Sequence, residues 1–136
     1  MDFLKRTKLL IGDSGIEKLN KANIILFGCG GVGGYTAEML VRSGMVNITI
    51  VDFDVVDVTN INRQIIALNT TVGKNKVDVL KQRLLDINPN ANVTAICERY
   101  TENSNILNVN YDYVIDAIDS KEYYSCAKSI DSCIEK

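Results

Sequence analysis

Apolar positions along this chain fall into two kinds of block. Some are short, nearly continuous runs, and others recur every three or four residues through longer polar stretches. Ile24-Ile-Leu-Phe27, Ile48-Thr-Ile-Val51 and the apolar part of Tyr113-Val-Ile-Asp-Ala-Ile-Asp119 are of the first kind, the signature of strands buried on both faces. The predicted strands are Asn23–Phe27, Asn47–Asp52, Asn92–Cys97 and 113–119. The second kind gives a helix over Gly33–Ser43, with Ala37, Leu40 and Val41 on one face and Gly44 as its C-terminal stop. Another is predicted over Lys74–Asn88, with Val77, Leu80, Leu84 and Ile87 aligned, closed by Asn88-Pro89. Ser14-x-x-Glu17 has the form of a capping box and predicts a short N-terminal helix over 13–21. A short helix near Asn103–Leu107 and a longer one over Tyr123–Ile134 complete the series.

Strands and helices therefore alternate from end to end. That order predicts an α/β fold, a doubly wound and mostly parallel sheet with helices on both faces, whose ligands bind outside the carboxyl ends of the strands. There is no repeat, linker or low-complexity tract, so residues 1–136 read as a single domain. The polar, Asn-rich stretch between Phe53 and Thr71 is too long for a simple turn, and a long loop beside a ligand crevice is usually functional.

Composition narrows the picture. The chain has 136 residues, 46% of them apolar, enough for a core of its own. A net charge of −2 gives no electrostatic footprint for tight, sequence-independent nucleic-acid binding, although an RNA held mainly by other parts remains compatible with it. No apolar run approaches a membrane span and the N-terminus lacks a secretory signal, so no membrane partner is expected and the cytoplasm is the expected location. With no histidine, and four cysteines that form no C-x-x-C pair, a structural zinc site is not expected. Cys29 sits in a glycine loop at a helix start, where a thiol could be activated, but small buried cysteines more often fill space. Cys126 and Cys133 share one face of the last predicted helix and are explained by packing.

The chemistry concentrates where the first strand ends. Gly28-x-Gly30-Gly31-x-Gly33 follows that strand and opens a helix, so bare backbone and unpaired N–H groups can approach a phosphate. Asp52 ends the second strand, 24 residues after Gly28, where an acid reaches a ribose hydroxyl. These features alone fit a dinucleotide, and hence an NAD-dependent dehydrogenase, as well as a mononucleotide. Asp54, Arg63 on the long loop, Lys76 and Asp119 are predicted on the same edge of the sheet. Two basic side chains there suit a triphosphate, with Asp119 placed to hold a magnesium ion.

Taken in order, Gly28-x-Gly30-Gly31-x-Gly33, Asp52-Phe-Asp54, Asn60-x-Asn62-Arg63-Gln64, Lys76 and Asp116-x-x-Asp119 resemble the ubiquitin-activating (E1-like) ThiF/MoeB/HesA superfamily of ATP-dependent adenylating enzymes. Arg6-Thr-Lys-Leu-Leu-Ile-Gly12, Thr59–Ile65 and Tyr113–Asp119 are most similar to the tRNA threonylcarbamoyladenosine dehydratase branch. The resemblance implies a Rossmann-like fold that binds ATP and Mg2+. In it the glycine loop and Asp52 would hold adenosine and ribose, Asp54 and Asn62 would line the same site, and Asn60, Arg63 and Lys76 would meet the phosphates. Asp119 would position the metal, and Arg6 would reach the neighbouring site of a homodimer. It implies further that Arg63, Lys76 and Asp119 serve adenylation of a carboxylate on tRNA, or alternatively of the C-terminal Gly-Gly of a ubiquitin-like sulfur carrier. A non-catalytic, dimerising nucleotide-binding module is the reading of another class. Members of the superfamily are longer, so the chain is expected to correspond to their N-terminal, ATP-binding part. Ile66 stands where the branch often has histidine.

Overall fold

The computed structural model describes residues 2–119. Within them lie helix α1 (Lys5–Lys21), strand β1 (Asn23–Phe27), helix α2 (Gly31–Ser43), strand β2 (Asn47–Val51), helix α3 (Lys76–Ile87), strand β3 (Asn92–Ile96) and strand β4 (Tyr113–Asp116). The predicted Tyr123–Ile134 helix, with Cys126 and Cys133, lies outside the described residues.

The four strands form one parallel sheet in the order β3-β2-β1-β4. β1 is central, pairing Ile24 with Ile48 on one side and with Tyr113 on the other. Because successive side chains of a strand point to opposite faces, Leu26, Ile48 and Ile50 meet Ala37 and Val41 of α2 and Val77, Leu80 and Leu84 of α3 in one core. Ile25, Phe27 and Val51 turn to the other face, where they pack with Tyr100 and Ile106 from the β3–β4 connection. Both faces of β1 are thus dry, which explains why its sequence is an unbroken apolar run.

Differences from the expected boundaries have local causes. α1 begins eight residues before the predicted 13–21 and leaves helical geometry at Gly12 (φ 71°, ψ 178°), so the predicted helix is its second half. Glu17 pairs with Lys21 at 2.6 Å. α2 starts at Gly31 rather than Gly33, since glycine is no obstacle in a first turn whose N–H groups have no helical partner anyway. The short helix expected near Asn103–Leu107 is a 3-10 turn at Ile106–Asn108. α2 and α3 are also tied by charge: Glu38 of α2, buried, binds Arg42 at 2.9 Å and Arg83 of α3. Burial opposes ionisation of Glu38, but the two guanidiniums outweigh it and hold its carboxyl below the ordinary value.

Candidate functional site

The chain leaves β1 toward one side of the sheet and β4 lies on the other, so a crevice opens between their carboxyl ends. This is the switch point at which parallel α/β sheets bind ligands. A cavity of about 560 Å³ occupies it. Its floor is Phe27, Gly28 and Val51, one wall is Gly30, Gly31 and Val32 at the start of α2, and Ala117, Ile118 and Asp119 form the opposite wall. Asp52, Phe53, Asp54, Arg63, Gln64, Lys76, Glu98 and Tyr100 complete the lining.

The glycines do different work. Gly28 has φ 92°, and a β-carbon there would stand 2.6 Å from the Ala117 carbonyl oxygen, so only glycine lets β1 turn so close to β4. At Gly33 a β-carbon would fall 1.7 Å from the Gly28 carbonyl oxygen. Gly33 therefore lets α2 press onto the loop, and it is not among the lining residues. Expected to approach a phosphate, it instead seats the helix whose N-terminus would do so. Gly30 and Gly31 present bare backbone to the cavity.

Asp52 holds this loop in place. One carboxylate oxygen accepts the Cys29 N–H at 2.7 Å and the other accepts the Asp54 N–H at 2.8 Å. An ionised carboxylate has lone pairs beyond these two bonds, so the same group still has acceptor capacity to turn to the cavity. Cys29 itself is fully buried. Burial first, then the Asp52 charge, drives its thiol far above the ordinary range against a smaller pull from Lys76, so the activated-thiol reading gives way to packing.

The Asn-rich stretch is ordered by hydrogen bonds that begin beyond β2. Val55 bridges Asn75 in antiparallel fashion, Val56 N–H donates to Lys74 O at 2.8 Å and Lys76 N–H to Asp54 O at 3.0 Å. That pairing brings α3's first residue into the crevice. Lys76 is buried, and its Nζ lies 3.4 Å from an Asp54 carboxylate oxygen. Asp57 caps a 3-10 turn at Val58–Asn60: Thr59 N–H and hydroxyl donate to its carboxylate, and that pair lowers its carboxyl below the ordinary value. Asn60 answers from within, its Oδ1 accepting the Asp57 N–H at 2.9 Å while its backbone carbonyl accepts from Arg63 and Gln64. Arg63 extends over this turn, with Nη1 donating to Thr59 O at 3.1 Å and Asn62 Oδ1 at 2.9 Å.

Of the expected residues, the structure brings together Gly28, Gly30, Gly31, Asp52, Asp54, Arg63, Lys76 and Asp119. Asn60 and Asn62 do not line the cavity. They are the scaffold that aims Arg63: Asn60 Oδ1 helps cap the turn and Asn62 Oδ1 accepts from the guanidinium. Arg6 is exposed on α1, away from the cavity of its own chain. Asp119 is exposed at the mouth, after a turn in which Asp116 accepts the Ile118 N–H at 3.0 Å. Ile66 is a core residue. Missed were Gln64, Glu98 and Tyr100. Gln64 stood inside the quoted motif, and Glu98 lies two residues past β3, where the strand-end rule could have found it. Phe53 carries Arg99 over its ring at 4.5 Å, a cation–π contact at the rim.

Comparison with known proteins agrees with this geometry. The model of the ThiF family matches residues 4–133. The chain is 47% identical over 117 residues to the tRNA threonylcarbamoyladenosine dehydratase of Bacillus subtilis (strain 168), covering 85% of this chain and 46% of that protein. It is 35% identical over 111 residues to a sulfur carrier protein adenylyltransferase of Thermus thermophilus, covering 81% of this chain and 41% of the relative. Among solved structures, the Escherichia coli tRNA N6-threonylcarbamoyladenosine dehydratase in complex with ATP superposes with a TM-score of 0.82 at 43% identity, over 85% of this chain and 48% of that one. The chain thus spans about half the length of the relatives it matches. Its Rossmann-like parallel sheet, its glycine loop and a family match running over nearly all its residues lead to one conclusion: the chain belongs to the ThiF family.

Proposed function

We propose that this chain is the ATP-binding part of an enzyme that adenylates a carboxylate, serving the cyclising dehydration of N6-threonylcarbamoyladenosine in tRNA. The observation that carries the reading is the convergence of Gly30-Gly31, Asp52, Arg63, Lys76 and Asp119 on one cavity. A dinucleotide's pyrophosphate can be satisfied by backbone N–H groups alone. One guanidinium and one ammonium group beside such a loop, those of Arg63 and Lys76, suit the greater charge of a triphosphate.

In this reading Asp52 takes the ribose, the α2 N-terminus and the two cations take the phosphates, and the acceptor's carboxylate attacks the α-phosphate as pyrophosphate leaves. Arg63 and Lys76 lower the repulsion between the two anions and stabilise charge on the leaving group. An ionised carboxylate needs no general base, so the lack of histidine is no obstacle. Mg2+ is commonly held through one or two carboxylates plus phosphates and waters, and Asp119 in the cavity lining fits as such a carboxylate. The ion would supply further charge neutralisation.

The cavity lining holds Asp52, Asp54, Glu98 and Asp119 against Arg63 and Lys76 alone. A triphosphate in so acidic a surround favours an additional cation, and we assign that part to Arg6 of a second copy in a homodimer. Val32, Tyr35 and Met39 form an exposed apolar stripe along α2 that suits such an interface. No helix among the described residues is long and apolar enough to cross a membrane, and a cytoplasmic location, where tRNA and ATP meet, follows from the reading.

Titration with Mg2+ and ATP tests the first step, since NADH binding without ATP affinity would restore the dehydrogenase reading. Pyrophosphate release by the enzyme that carries this part should require threonylcarbamoyl-modified tRNA. Release that instead requires a small protein ending in Gly-Gly would install the sulfur-carrier reading, which the Thermus relative keeps second. ATP binding with no turnover of either acceptor would leave a nucleotide-binding module.

A further inference from the structure

Helices α2 and α3 share an apolar core, with Ala37 and Val41 of the first among Val77, Leu80 and Leu84 of the second. Apolar contact is non-directional, so by itself it sets how far apart the helices lie and not how far one has slid along the other. Glu38 adds a directional tie. Its buried carboxylate accepts Arg42 Nε at 2.9 Å through one oxygen, within α2, and Arg83 Nε of α3 through the other. Arg83 Nη2 lies 3.5 Å from the first oxygen, so the planar guanidinium lies along the carboxylate edge. A buried ion pair adds little net stability over apolar side chains of the same volume, and its best-attested use is to fix register.

The place of the pair shows which register is at stake. Glu38 stands seven residues after Gly31, the first residue of α2, and Arg83 seven residues after Lys76, the first residue of α3. At the helical rise, each lies about 10.5 Å below the start of its helix. Gly31 and Lys76 both line the crevice, whereas Glu38 and Arg83 do not. Asp52 ties the two loops at the crevice, and the Glu38 pair ties the helix bodies beneath it. We propose that Glu38 and Arg83 are positioning residues: their ion pair, set at the same depth below both helix starts, fixes the spacing between the α2 backbone amides and the Lys76 ammonium. The proposal rests on the ATP reading above and concerns how the fold holds that site, since neither side chain meets the ligand.

The test is calorimetric titration with Mg2+ and ATP and, separately, with adenosine, for Arg83→Lys and for the double variant Glu38→Met/Arg83→Met. Lysine keeps the charge without the planar fork. The double variant exchanges the ion pair for apolar contact and should melt within about 5 °C of wild type. Both should weaken ATP binding about tenfold and leave adenosine binding within about twofold. In a Lys76→Met background the same changes should weaken ATP binding by less than about threefold, because the ammonium they position is gone. A pair with a merely structural role, two turns from Lys76, would give the same fold loss in both backgrounds. That additivity would overturn the assignment, as would unchanged ATP affinity or equal losses for ATP and adenosine in the folded variants, and each of these results leaves the ATP reading intact. A folded wild-type chain that binds ATP no more tightly than adenosine would overturn both.

Discussion

Replacing Lys76 by methionine isolates the role of one buried charge. The stem keeps its length and apolar packing, so the fold loses little beyond the contact to Asp54. That contact is weak in net terms: although Nζ and the carboxylate oxygen are 3.4 Å apart, the Asp54 side chain is half exposed. Water screening therefore reduces it to about 1 kcal/mol or less. In the proposed ATP complex the ammonium would face phosphate instead. At about 4 Å and an effective dielectric constant of about 20, the gross attraction per unit charge is roughly 4 kcal/mol. Subtracting the roughly 1 kcal/mol given up on leaving Asp54, about 3 kcal/mol remains, a fall in affinity of about a hundredfold. Calorimetric titration with Mg2+ and ATP should show that loss, while adenosine binding stays near wild type and the melting temperature moves by only a few degrees. A loss for ATP of less than about threefold would refute the clamp, and an equal loss for adenosine would mean that the site had collapsed.

Other consequences follow from groups that hold the helices and the glycine loop. Glu38→Gln should lower unfolding free energy in urea by about 1–3 kcal/mol, since it removes a buried carboxylate that two guanidiniums have bound. Because the folded-state carboxyl lies below its ordinary value of 4.5, its contribution is complete above that pH and is lost as pH falls through the folded value, so the variant should show a shallower acid limb. Gly33→Ala puts a β-carbon against the Gly28 carbonyl oxygen and should destabilise the chain by about 3 kcal/mol or more by the same measurement. Alkylation at pH 8 followed by peptide mapping should label exposed Cys97 and spare Cys29, whose buried thiol stays protonated. Rapid labelling of Cys29 in folded protein would contradict the packing described.

The strands were the most legible part of the sequence. Asn23–Phe27 and Asn47–Val51 are buried from both sides, so nothing but a strand accounts for such runs, and the strand-end rule then located Gly28, Asp52 and Asp119. Lys76 was placed correctly at the sheet edge, but the antiparallel bridge that carries it inward has no sequence signal of its own. The asparagines were harder. Asn60 and Asn62 have the side chains that phosphate sites use, and only the hydrogen bonds show them holding a turn and a guanidinium. Gly33 was ambiguous for a similar reason, because a residue without a side chain serves a neighbouring helix as readily as a ligand. Gln64 escaped because burial, which makes it unusual, is a property of the fold and not of the residue.

Asp52 has a consequence for how such a site can diversify. One carboxylate anchors the backbone on either side of it, Cys29 before α2 and Asp54 before the Lys76 bridge. In the proposed ATP reading, nucleoside recognition and phosphate geometry are thus mechanically joined, and a substitution that changes one disturbs the other. Asp52→Asn should therefore disturb the glycine loop and the approach to Lys76 together, since one carboxylate tethers both.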